Sequence, residues 1–78
     1  MPERLSDTAS RLALLLEHLA DVLERTGTLA EAHAMRPSPY IDASTRQLEL
    51  RRAARAHAYA RQARANAESV RRRLAGPG

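Results

Sequence analysis

Cysteine, lysine, phenylalanine and tryptophan are all missing from this 78-residue chain, and each absence closes off a class of protein. Without cysteine there is no disulfide framework and no thiolate nucleophile. His18, His33 and His57 alone leave a structural zinc site short of ligands. With Tyr40 and Tyr59 as the only aromatics, a β-sandwich or a conventional mixed core has too little to build on. No apolar run exceeds Leu12 to Leu16, which argues against a membrane span or a secretory signal and makes the cytoplasm the expected location.

What remains is rich in Ala, Leu, Arg and Glu, the strong helix formers, so the expected class is all-α. A domain this small buries little surface and commonly needs a staple or a partner. Disulfide and metal being unsupported, oligomerisation is the natural source of stability. All 13 basic residues are arginine, against nine acidic ones, for a net charge of +4. Guanidinium suits interfaces and phosphates. The plainer reading is the Arg and Ala codon bias of a GC-rich bacterial genome.

The pattern predicts two helices of matched length. Helix 1 spans about 3–36: Pro2 suits a first turn, and Glu3 and Asp7 suit the positive end of the macrodipole. Gly27, followed by the Thr28–Glu31 capping box, could start a separate short helix. The heptad pattern runs through it in register, so a continuous helix that can kink at Gly27 is preferred. Pro37 and Pro39 end it. A loop over 37–42 leads to helix 2, about 43–75, capped by Asp42 or Ser44, and Gly76, Pro77 and Gly78 form a frayed tail. One domain results, an antiparallel helical hairpin.

Leu5, Leu12, Leu15, Leu16, Leu19, Val22, Leu23 and Leu29 share one side of helix 1 over roughly 180°, whereas packing on a single neighbour needs little more than 100°. With Leu5 at heptad position a, Leu12 and Leu19 fall at a, Leu15, Val22 and Leu29 at d, and Leu16 and Leu23 at e. Helix 2 offers a narrow seam of Ala53, Ala56, Ala60, Ala63, Ala67, Val70 and Leu74. It can cover only part of the leucines, which are expected to supply most of the hydrophobic free energy. Two hairpins pairing as a four-helix bundle, with helix 1 inside, satisfy both patterns. A bundle completed by a different protein does so too. Leu48 and Leu50 lie on nearly opposite sides of helix 2, so Tyr40 and Ile41, or a second subunit, would cover one of them.

Charge is divided between the halves. Residues 1–36 hold four arginines and six acids, and residues 37–78 nine and three. Opposite signs on neighbouring helices favour one pairing and orientation. Most helix 2 arginines, among them Arg51, Arg55, Arg61, Arg64 and Arg72, lie opposite the alanine seam. They could follow nucleic-acid phosphates without sequence specificity, meet an acidic protein, or simply be solvated. Their opposite face is alanine, so membrane insertion is not expected. Arg71, Arg72 and Arg73 suit the negative end of the macrodipole.

Glu17, Asp21, Glu24 and Glu31 form a carboxylate row, but the Glu-x-x-His element of di-iron bundles is absent and the row lies off the leucine sector. A solvated or arginine-pairing face is the better reading, with no metal and no cofactor. His33 and His57 could tune an interface with pH, although ordinary boundary histidines are commoner. Tyr59 could anchor a partner or pack at the seam edge. No nucleophile elbow or phosphate loop occurs. The expected function is therefore non-catalytic: a dimeric adaptor, regulator or assembly component associating through Leu12, Leu15, Leu16, Leu19, Val22, Leu23 and Leu29.

Overall fold

The computed structural model describes the backbone of residues 2–37, 39 and 41–76, and side chains from residue 7 onward within that set. It contains helix α1, Pro2–Met35, and helix α2, Ala43–Leu74, packed antiparallel as a hairpin. Helix α1 runs unbroken through Gly27, so the Thr28–Glu31 pair starts no second helix. Proline at 37 removes the donor that a further turn needs. Asp42, and not Ser44, caps α2: its carboxylate accepts from the Thr45 backbone N–H at 2.7 Å. At the other end Gly76 takes φ +83°, which a side-chain-bearing residue resists, and its N–H donates to the Arg73 carbonyl. Tyr40 and the last two residues, both given roles in the sequence reading, lie outside the described set. Ile41 is half-buried, and Leu48 and Leu50 both remain exposed.

The two helices meet chiefly through small residues. On α1, Ala13, Ala20, Gly27 and Ala34 recur every seven residues and are buried. Facing them are Ala53, Ala56, Ala60, Ala63 and Ala67 of α2, also buried, with Val70 and Leu74 half-buried beyond. Among the described residues no side chain larger than alanine is fully buried. The sequence pattern expects helix 2 to cover part of the leucine sector, and the alanine and glycine stripe of α1 was not picked out there. The seam lies more than a third of a turn away from the middle of the leucine row. Only Leu16 and Leu23, at its edge, are partly covered.

Gly27 accounts for much of this arrangement. A methyl group built there would sit 2.8 Å from His57 Nε2 and 3.1 Å from the Ala53 carbonyl oxygen. The missing side chain is thus the space into which α2 presses its His57 ring and its backbone. A leucine-to-alanine seam would hold the axes further apart at this point.

The helices are also staggered. The α1 helix is about 51 Å long at 1.5 Å per residue, yet the molecule measures 60 × 17 × 12 Å. Burial runs from Ala13 to Ala34 on α1, but begins only at Ala53 on α2. The first turns of each helix therefore project past the end of the other, by about 10 Å or roughly seven residues.

Two outcomes follow from these contacts. Gly27→Ala should lower the thermal midpoint, although alanine raises intrinsic helix propensity by about 1 kcal/mol. Combining it with His57→Ala should recover part of the loss, with a coupling of about 1 kcal/mol in circular-dichroism melts. A midpoint raised by Gly27→Ala alone would contradict the close approach. At Asp42, the Thr45 N–H and hydroxyl hold the carboxyl pKa below its ordinary value. A lowered carboxyl pKa stabilises the fold above the unfolded-state pKa and loses that contribution as pH falls through the folded one. Asp42→Ala should thus melt a few degrees below the parent at pH 7, and the gap should close in acid, below about pH 4.

Candidate interaction surface

Beside the seam, on one side, runs a ladder of charged pairs. Glu17, Glu24 and Glu31 recur every seven residues along α1, and Arg71, Arg64 and His57 recur every seven in the opposite direction along α2. Arg71 grips Glu17 with both guanidinium nitrogens, the second at 3.0 Å. Arg64 donates to Glu24 at 2.7 Å and to Asp21 at 3.1 Å. Those two carboxylates, Glu24 foremost, raise the Arg64 pKa above its ordinary value. His57 meets Glu31, as an ion pair only when the imidazole carries its proton. Matching periods on both helices give the same register at every rung.

The carboxylate row is thus occupied by α2. Among the described residues no cluster of three or more His, Asp or Glu side chains is placed to hold a metal ion. The ladder also uses part of the arginine face. Arg64 is tied to α1, and Arg72 lies 3.5 Å from Glu68 on its own helix. Arg51, Arg55 and Arg61 are exposed, with no ion-pair partner among the described residues. Arg71 was read from sequence as a dipole cation at a helix end, and its cross-helix role was missed. The signal was available in the seven-residue spacing shared by Glu17, Glu24 and Glu31 with His57, Arg64 and Arg71.

On the other side of the seam lies the leucine face. Leu12 is 47% exposed, Leu15 66%, Leu19 47%, Val22 43% and Leu29 70%. Leu16 and Leu23 continue this face to the seam, where with Leu19 they form one wall of an apolar groove; Tyr59, Ala63 and Asn66 of α2 form the other. Tyr59 is exposed at the groove rim. Burying a leucine fully stabilises a protein by about 1.5–3 kcal/mol, and these side chains realise only part of that within the hairpin. Of the other histidines, His18 and His33 are exposed.

The leucine face is therefore an apolar surface left open to solvent. No helix among the described residues is long and apolar enough to cross a membrane. Against protein-family models, curated proteins and solved structures, the chain finds no match.

Reversing one rung tests the ladder. Glu17→Arg should destabilise the hairpin by no more than about 1 kcal/mol, the range of exposed pairs. Adding Arg71→Glu should restore most of the loss. Both effects should shrink in melts at about 1 M salt, where the Debye length is about 3 Å.

Proposed function

We propose that this protein is a non-catalytic interaction module that works as a homodimer, with the leucine face of α1 as the contact surface. The observation that carries the proposal is the exposed row Leu12, Leu15, Leu19, Val22 and Leu29, beside a hairpin seam whose fully buried members, among the described residues, are all alanine or glycine. Such a core buries few methylene equivalents, and a small helical unit needs more apolar burial than this to stand alone.

Surface area supports the same reading. The chain exposes 6333 Å², whereas a compact monomer of its 8.6 kDa exposes about 4,700 Å². The surplus, roughly 1,600 Å² by difference, is about twice what each partner contributes to a standard interface. A permanent helical dimer would remove much of it from water. The dimer would then present its arginines outward, as an adaptor, regulator or assembly component.

A second reading rests on the exposed Arg51, Arg55 and Arg61, which could contact nucleic-acid phosphates. It is weakened by the commitment of Arg64 and Arg71 to α1 carboxylates. Such binding would weaken steeply with added salt, whereas leucine-driven dimerisation would not.

Light scattering across protein concentration should give twice the chain mass. Leu15→Glu with Leu19→Glu should give a monomer with most of its helical circular dichroism lost. Arg51→Glu with Arg61→Glu should leave mass and helicity unchanged. A parent chain that is monomeric and fully helical would overturn the proposal, and a complex formed only with another protein would replace the homodimer by a hetero-bundle.

A further inference from the structure

We infer that the second copy docks antiparallel, about a two-fold axis at Glu17, and lays the projecting start of its α1 into the groove between α1 and α2. This rests on the dimer proposed above and specifies how its two halves fit. Three features of the chain lead to the same arrangement.

The first is layer matching. Residues facing one another across an antiparallel pair of identical helices have numbers that mirror about the axis. With the axis at Glu17, Leu12 meets Val22 of the second copy, Leu15 meets Leu19, and Thr8 meets Thr26. Every apolar layer is apolar on both sides, and the two threonines of the stripe meet each other. The Thr26 hydroxyl already donates to the Val22 carbonyl at 2.9 Å, so it enters such a layer with its donor satisfied. Sliding to either neighbouring register sets Thr26 against Leu15, or Thr8 against Leu19, and breaks an apolar layer.

The second is the polarity of the two edges of the stripe. One edge carries Leu16 and Leu23, and the other Arg11, His18 and Arg25. Parallel pairing sets the leucine edge of each copy against the cationic edge of the other. Antiparallel pairing joins leucine edge to leucine edge and leaves the cations along a solvated margin. There Asp7 and Asp21 precede Arg11 and Arg25 by four residues, the spacing at which helix charges compensate.

The third is the stagger. Towards its start, α1 runs past the end of α2, and Leu12 is exposed. In the mirrored register, Leu12 of the second copy lies level with Val22. Through the ladder's register, that places it level with Asn66 on α2, and Ala9 of the second copy level with Ala63. These turns fall along the groove walled by Leu16, Leu19 and Leu23 on α1 and by Tyr59, Ala63 and Asn66 on α2. Each copy's α2 then covers the projecting turns that the other copy's α2 cannot reach. The roughly 1,600 Å² of surplus surface per chain is sufficient for an interface of this kind.

The natural absence of cysteine makes the register measurable by disulfide trapping. Thr8→Cys and Thr26→Cys are prepared separately, then unfolded and refolded alone or as an equimolar mixture, and oxidised mildly. The mixture should give a cross-linked species of twice the chain mass about tenfold or more faster than either variant alone, because the paired thiols are held at high effective concentration. Light scattering on the parent chain runs alongside. A dimer in which Thr8→Cys alone cross-links readily is parallel and overturns the inference. A dimer in which no combination cross-links preferentially uses another register or face, and also overturns it while leaving dimerisation standing. A monomer at all concentrations removes both this inference and the function proposed above.

Discussion

The close contact of Gly27 with α2 is the constraint on which the architecture depends. Because that position has no side chain, the His57 ring and the Ala53 carbonyl can occupy its space, and the stripes of alanine on either side meet at short range. A seam of methyl groups is weak in hydrophobic terms, since buried area sets the stabilisation. Its advantage is proximity. It brings Glu17, Glu24 and Glu31 within reach of Arg71, Arg64 and His57, and these rungs select the antiparallel register in a way that interchangeable alanines could not.

Using the small-residue stripe for the hairpin has a consequence for the leucines. Turning α1 so that Leu12, Leu15, Leu19 and Val22 faced α2 would bury more apolar surface within one chain. It would also swing the carboxylates away from their cations and force the axes apart at Gly27. The hairpin instead holds its charged side and its apolar side on opposite flanks of one seam. Intramolecular specificity is thereby separated from the surface left for association. The stagger extends this division, because it leaves the start of α1 without a neighbour in its own chain.

Much of the hairpin could be read from residue order. Helix class follows from propensity, and the break between the helices from Pro37 and Pro39. The helix ends moved by only a residue or so, to Pro2–Met35 and Ala43–Leu74. The cap was narrowed to two candidates, of which Asp42 is used. The alanine and glycine stripe by which α1 meets α2 was not picked out, because hydrophobic periodicity ranks leucine above alanine and ignores how closely two axes can approach. Gly27 was weighed only as a helix breaker, and its role as a gap lies in a helix distant along the chain.

The linear order of residues determined that this protein is helical, where its two helices break, and that one of them carries more leucine than a single neighbour covers, because propensity, proline geometry and apolar periodicity are local properties. Only the tertiary structure decided which stripe becomes the seam, how far the helices slide past each other, and which arginines are tied to α1. Those choices depend on the distance between backbones and on pairs such as Glu17 with Arg71 and Gly27 with His57, whose members lie far apart in the chain and meet only when it folds.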